Sequence, residues 1–282
     1  MTPLRQLMIE KLQLKNYSPK TQQMYVAAVA HFALHYHRSP DKLGLSEIHE
    51  WQLYLKDVKK VSWSAFNVDM CGLRFFYRYV LEREEVIPRL SFMRKAKRLP
   101  VVPSPEEVCR FLDAIEDDQY RMLLSVAYGC GLRLQEATRL EVGDIDSERM
   151  VIHIRQGKGK KDRFVMLSAI LLEVLREYWR RHKPQRLLFP SPHDPNKPLN
   201  STTLQKQCKR ICEKAGLSKK VTPHTLRHAF ATHLFESGTD LAIVQALLGH
   251  KSIQTTQIYA RVSNKNIRAV ISPFDRLPPS KR

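Results

Sequence analysis

Apolar residues recur at helical spacing through the first ninety positions. Met24, Tyr25, Ala28, Phe32 and Tyr36 follow a period near 3.6 after Ser18-Pro19, a serine N-cap with proline at the first helical position. A helix beginning near Ser46 is expected to carry Ile48, Trp51, Leu53, Tyr54 and Leu55. A further one from about Ser64 carries Val68, Cys71, Leu73, Phe75, Phe76, Tyr79 and Val80, and residues 4–14 add a short leading helix. No period-2 run interrupts this stretch. Residues 1–90 therefore read as a four-helix domain whose aromatics form its core.

Residues 91–103 change character. Arg94, Lys95, Lys97 and Arg98 lie between Pro88, Pro100 and Pro103, which predicts an extended basic linker. Ser104-Pro105-Glu106-Glu107 then has capping-box spacing, opening a helix to about Ile115. Another helix covers 121–128 and stops at Gly129-Cys130-Gly131, with 133–140 following. The period then switches. Residues 150–154 and 163–167 are short β-rich runs flanking Gly157-Lys158-Gly159-Lys160-Lys161, a hairpin signal. Helices are expected again at about 168–182, 202–215, 225–236, 240–249 and 252–260. Gly216 and Gly238 read as stops, Ser252 and Ser263 as caps. The expected fold class is mainly α with a small β-sheet: a helical N-terminal domain and an α+β domain over 104–282, ending in a tail helix near 263–271.

Charge decides the class of partner. The 282 residues carry a formal net charge of +19, with +8 in the first hundred and +11 in the rest. Two basic halves fit a clamp on double-stranded DNA. Hydrophobic content of 43% excludes disorder as the default. No apolar run is long enough for a membrane span and the first eleven residues lack a signal-peptide core, so the chain is expected to be cytoplasmic with no membrane partner. The five cysteines are odd in number and irregularly spaced, which fits reduced thiols; Cys208 and Cys212 lack further ligands at zinc spacing.

The candidate chemistry sits late in the chain. His224-Thr225-Leu226-Arg227-His228, Leu247-Leu248-Gly249-His250 and Tyr259 follow one another at short spacings, with Gly131-Leu132-Arg133 upstream. Strand transfer to an amino acid needs an aligned nucleophile, a neutralised phosphate and a proton for the leaving oxygen. A tyrosine hydroxyl has a free pKa of about 10 and needs positive charge nearby. Arg133 and Arg227 can each donate two parallel bonds to phosphate oxygens. His224 lies three residues before Arg227 on one helix side and can shuttle a proton. Lys158, at the hairpin tip, can reach the leaving oxygen as a general acid, with Lys160 and Lys161 as competitors. His228 and His233 read as structural.

Taken in order, Gly131-Leu132-Arg133-x-x-Glu136, the Gly157-Lys158-Gly159 turn, His224-x-Leu226-Arg227-His228, Leu248-Gly249-His250 and Tyr259 resemble the signature of the tyrosine recombinases, the phage-integrase type. The resemblance is strongest over residues 104–262. Residues 1–90 are similar, more loosely, to that family's core-binding domain.

The resemblance implies a site-specific recombinase that cuts and rejoins DNA through a 3′-phosphotyrosine and exchanges strands through a Holliday junction. Arg133 and Arg227 would hold the scissile phosphate, and Glu136 would orient Arg133. Lys158 would protonate the 5′ oxygen, and the motif position favours it over Lys160 and Lys161. His224 would accept a proton or donate to the phosphate. His250 would bind a nonbridging oxygen and Tyr259 would attack. Neither cofactor nor metal is implied. The partners implied are duplex DNA and a homo-tetramer on paired sites, with the tail docking on a neighbouring subunit. Ala260-Arg261 stand where the family often has a histidine, and the 181–223 stretch is too short for the extra helix of integron integrases, so a Xer-like or mobile-element recombinase fits best. The rival readings are a non-catalytic DNA-binding protein on the same fold and a type IB-like topoisomerase.

Overall fold

The computed structural model describes residues 2–94, 100–155, 162–250 and 252–262. The chain separates into two compact units, Met1–Lys97 and Arg98–Arg282.

The first unit holds helices α1 (Pro3–Leu14), α2 (Pro19–His35), α3 (Leu45–Leu53) and α4 (Trp63–Phe75). Ser18 caps α2 by accepting the Thr21 N–H, with Pro19 in the first turn. The next two helices begin earlier than the apolar pattern suggests, because other groups satisfy their first donors. The Glu47 carboxylate accepts the Gly44 N–H at 2.9 Å, and Ser62 rather than Ser64 caps α4. Both then run into a single π-helical turn, Tyr54–Val58 and Phe76–Val80. Phe32, Trp51, Met70, Leu73 and Phe76 form the buried centre. Gly72 lets α4 close on α2: a Cβ there would stand 2.9 Å from the Ala28 Cβ. The start of the expected linker packs on this unit. Ser91 donates its N–H to Gln52 Oε1 at 2.8 Å, and the Asn67 amide brackets the Met93 backbone at 2.9 and 3.0 Å.

The second unit begins with α5 (Pro105–Asp113), α6 (Asp118–Gly129) and α7 (Leu134–Thr138). The expected capping box closes α5: Ser104 Oγ accepts the Glu107 N–H, and Glu107 accepts the Ser104 N–H. A three-stranded antiparallel sheet follows, β1 (Ile145–Asp146), β2 (Val151–Ile154) and β3 (Arg163–Met166), with Ile154 opposite Arg163. The β2–β3 hairpin is where the pattern put it. The two-residue β1 and the second hairpin, β4 (Pro190–Ser191) with β5 (Asp194–Pro198), carry no alternation to reveal them.

Helices complete the unit: α8 (Ala169–His182), α9 (Ser201–Lys214), α10 (Pro223–Glu236), α11 (Leu241–Leu248) and α12 (Ile253–Val262). α10 is central and packs on α6, α11 and α12. Phe230 of α10 lies so close to Gly131 that a Cβ there would meet its ring at 2.3 Å, and Gly131 takes a left-handed φ of +61°. Pro103 joins this unit, its carbonyl accepting from His233 Nε2 at 3.1 Å while His233 Nδ1 pairs with the Tyr128 hydroxyl. That arrangement fits the structural reading of His233.

The chain is thus mainly helical with small sheets. No helix among the described residues is long and apolar enough to cross a membrane. The centre of the linker, the Lys158 turn and the segment after Val262, with its expected tail helix, lie outside the described residues.

Candidate active site

Glu136, on the first turn of α7, is the hub of the site. Its side chain is 7% exposed and receives two guanidinium groups. Arg133 Nη1 donates to Oε1 at 2.7 Å, and the Arg133 N–H donates to Oε2 at 2.9 Å. Arg163, the first residue of β3, donates to both oxygens at 3.0 and 2.8 Å in the parallel geometry that arginine favours. Arg227 adds a third cation, with Nη1 3.8 Å from Oε2. Burial alone would raise the Glu136 pKa. The bonds from Arg163 and from the Arg133 backbone outweigh it and hold the carboxyl down at about 2.

The same three arginines satisfy the C-terminus of α11. Arg163 Nε donates to Leu247 O at 2.8 Å, Arg227 Nη2 to Leu248 O, and Arg133 Nη2 to Gly249 O at 3.4 Å. A helix end leaves its last carbonyls unpaired and carries partial negative charge, so three cations in register there are favourable. Gly249 turns the chain in a left-handed conformation, φ +61°, and delivers His250 to the site. Arg227 also donates to Gly131 O at 2.6 Å and is 3% exposed. Burial and the Arg133 charge pull its pKa to about 10, so it stays cationic at neutral pH.

A groove of about 1100 Å³ is lined by Arg133, Arg227, His224, His250 and Thr255 among others. Three guanidinium groups against one carboxylate leave this corner with two uncompensated positive charges. The histidines add none: burial and the neighbouring Arg227 depress all three, His250 to about 4 and His224 in the same direction. For His228 burial comes first, then His224 and Arg227, with a result of about 4. Such a corner can hold an anion and neutralise negative charge that grows during a reaction.

Tyr259, on α12, does not line the groove. It is 1% exposed and packs with Phe230, Val244 and Leu248. The His250 ring lies nearly parallel to the Tyr259 ring, 14° off with centroids 6.3 Å apart, and His250 Nδ1 is occupied by Thr256 Oγ1 at 3.0 Å. The Tyr259 hydroxyl meets His228 Nδ1 at 3.1 Å, and His228 Nε2 meets His224 Nε2 at 3.0 Å. Burial raises the tyrosine pKa, opposed by Arg227 and Arg133.

Of the residues singled out in the sequence, Arg133, His224, Arg227 and His250 line one groove and Tyr259 backs it, while Lys158 lies outside the described residues. Two contacts were not anticipated. The His228 ring, read as structural, bonds the tyrosine hydroxyl; its i, i+4 step from His224 was the available signal. Arg163 had no signal, since its pairing with Glu136 crosses 27 residues.

The chain matches the Phage integrase family over residues 103–266, and residues 4–85 match the phage integrase N-terminal SAM-like domain. An integrase/recombinase-type protein of Sinorhizobium fredii is 43% identical over 282 residues, covering 99% of this chain and 90% of that protein. Tyrosine recombinase XerA of Pyrococcus furiosus is 36% identical over 217 residues, 76% of this chain and 75% of its own length. Among solved structures, the XerH site-specific recombinase bound to its palindromic difH substrate, a post-cleavage complex, superposes with a TM-score of 0.76. At 24% identity, covering 98% of this chain and 86% of that one, this likeness speaks for the fold.

Proposed function

Because the chain belongs to the phage integrase family, as a site-specific tyrosine recombinase that cuts and rejoins DNA, we propose that Tyr259 is its nucleophile and the arginine-lined groove its phosphate site. The observation that carries this reading is the convergence of Arg133 and Arg227 on one groove with the Tyr259 hydroxyl behind it. The scissile phosphate occupies the groove. Arg133 and Arg227 neutralise its nonbridging oxygens, and His250 donates to one of them. Tyr259 attacks phosphorus and the 5′ oxygen leaves, taking a proton from Lys158. The product is a 3′-phosphotyrosine that keeps the energy of the broken bond, so the reverse attack by a 5′ hydroxyl rejoins DNA without an external energy source. His224 serves as the proton acceptor at the groove.

Recombining two duplexes requires four strand cuts. Each protomer offers one Tyr259, so four protomers on two paired sites supply the count, with strands exchanged in pairs through a Holliday junction. Residues 1–90 form the core-binding domain, 91–103 the basic linker and 104–282 the catalytic domain. The +8 and +11 charges of the two halves support duplex binding by both. The test is Tyr259→Phe on nicked duplex carrying the recombination site. The variant is expected to bind as the parent does and to form no detergent-resistant adduct. Adduct formation by the variant would refute the assignment.

A further inference from the structure

Tyr259 is 1% exposed, so the groups placed to take its proton are the protein groups beside its hydroxyl. The candidates are the rings around it. His250 lies nearly parallel to the tyrosine ring, 14° off with centroids 6.3 Å apart, and its Nδ1 is held by Thr256. His228 presents a nitrogen, Nδ1, at 3.1 Å. We propose that His228 takes the phenolic proton from Tyr259 and relays it through His224 to the groove, a role that rests on Tyr259 being the nucleophile.

The hydrogen bonds favour one direction. With His228 protonated on Nε2, the tyrosine hydroxyl donates to Nδ1, and Nε2–H donates to His224 Nε2 at 3.0 Å. The opposite tautomer would make the ring the donor and leave the phenolic hydrogen in a 1%-exposed site facing away from its partner among the described residues. The titratable groups facing His228 are His224 and Arg227 of its own helix, Tyr259 of α12, and His250. Burial first, then His224 and Arg227, keep His228 unprotonated near neutral pH, ready to accept. The spacing comes from the helix itself: residues four apart on α10 lie on consecutive turns of one face, so the two rings stand in line from the buried tyrosine to the exposed His224.

The step balances. The Tyr259 O–H bond breaks and His228 Nδ1–H forms. His228 Nε2–H breaks and His224 Nε2–H forms, leaving His228 neutral and His224 cationic. The tyrosine oxygen bonds to phosphorus, the P–O5′ bond breaks, and O5′ takes a proton from the general acid. Rejoining runs the relay backwards.

His228→Asn separates this role from simple placement. The Asn amide oxygen can reach the Nδ1 position and accept the tyrosine hydrogen bond, but it carries no proton onward. Single-turnover attachment to nicked duplex should be slower by about 10²–10⁴-fold, with unchanged duplex affinity. Replacing Tyr259 by trifluorotyrosine, whose phenol ionises without a base near neutral pH, should restore His228→Asn to within about tenfold of the parent. A 5′-bridging sulfur, which spares only the leaving-group proton, should not restore it. The relay is refuted if His228→Asn attaches within a few-fold of the parent, or if it stays slow with trifluorotyrosine. His228→Gln is read by the same criteria, so a folding defect in one variant does not decide the matter. Attachment by Tyr259→Phe would instead overturn the nucleophile assignment.

Discussion

Arg163 grips Glu136 through two parallel hydrogen bonds, 3.0 and 2.8 Å long, and so ties the sheet edge to α7, the helix that Arg133 precedes as N-cap. The same guanidinium holds the Leu247 carbonyl at the end of α11. One residue thereby joins β3 both to α7 and to the end of α11. Removing the hub should be worse than removing any one of its three spokes. Glu136→Ala leaves three guanidinium groups facing each other, and breaking a buried pair costs about 3–5 kcal/mol. Urea unfolding should show a loss of that order together with loss of attachment. A variant as stable as the parent would mean the arginines are held by the carbonyls alone. Arg163→Ala should slow attachment less than Arg133→Ala, since Arg133 keeps its own bond to Glu136.

The phosphate clamp has a distinct signature. Losing one preorganised donor at a developing charge costs about 2.7–4 kcal/mol in the transition state. Arg133→Ala and Arg227→Ala should therefore slow cleavage by roughly 10²–10³-fold, with much smaller losses in duplex affinity. Gel-shift titration beside single-turnover attachment checks this. Equal losses in both would make these arginines binding residues only.

Much of this was legible beforehand, and the exceptions have a common cause. Ser18-Pro19, the Ser104–Glu107 box and the Gly/Lys turn between β-rich runs each act within a few residues, so the helices and the hairpin they mark appear where expected. The π turns, β1 and the Pro190–Pro198 hairpin depend on packing and cross-strand partners that leave no local period. Arg133, His224, Arg227, His250 and Tyr259 stood out through motif order. Arg163 did not, because its partners Glu136 and Leu247 are 27 and 84 residues away. His228 was visible as a residue; its contact with Tyr259 was not, because that depends on how α12 lies against α10.

Two glycines should tolerate no side chain. Gly131 has φ +61° and Phe230 within 2.3 Å of any Cβ; Gly249 has φ +61° and the Arg163 Cδ at 3.1 Å. A left-handed conformation costs an L-residue roughly 1–2 kcal/mol before any clash. Gly131→Ala, which meets a ring packed in the core, should lower the melting temperature more than Gly249→Ala. Gly249→Ala should instead show its larger effect on attachment rate, through a displaced Arg163. Calorimetry and the nicked-duplex assay distinguish the two patterns.

Stability should fall as the solution is acidified from pH 6.5 to 4. His228 and His250 titrate near 4 in the folded chain but near 6.5 when unfolded. Above 6.5 both states are unprotonated and the contribution is complete. Between 6.5 and 4 the unfolded chain binds more protons, so acid favours unfolding, and the loss levels off below 4. Glu136, held at about 2, adds its own loss only below its ordinary value of 4.5. The urea midpoint measured from pH 7 to 5 therefore reports the depressed histidines, His224 included, against an opposing contribution from Asp69, whose carboxyl burial pushes up. A His228→Gln, His250→Gln double variant should flatten that slope, and an unchanged slope would place the responsible groups elsewhere.

The leaving-group proton gives the last test. Lys158 is proposed as its source; in the sequence it lies between β2 and β3, outside the described residues. General acid catalysis contributes typically 10²–10⁴-fold. Lys158→Ala should lose a factor in that range on ordinary DNA. A 5′-bridging sulfur at the scissile position departs without a proton, so the same variant should attach to that substrate nearly as fast as the parent. Arg227→Ala should gain nothing from the sulfur, because its loss lies in charge neutralisation. Recovery of Lys158→Ala alone identifies the acid. If it stays slow on the sulfur substrate, the proton comes from another group, and Lys160→Ala and Lys161→Ala are the next variants to measure.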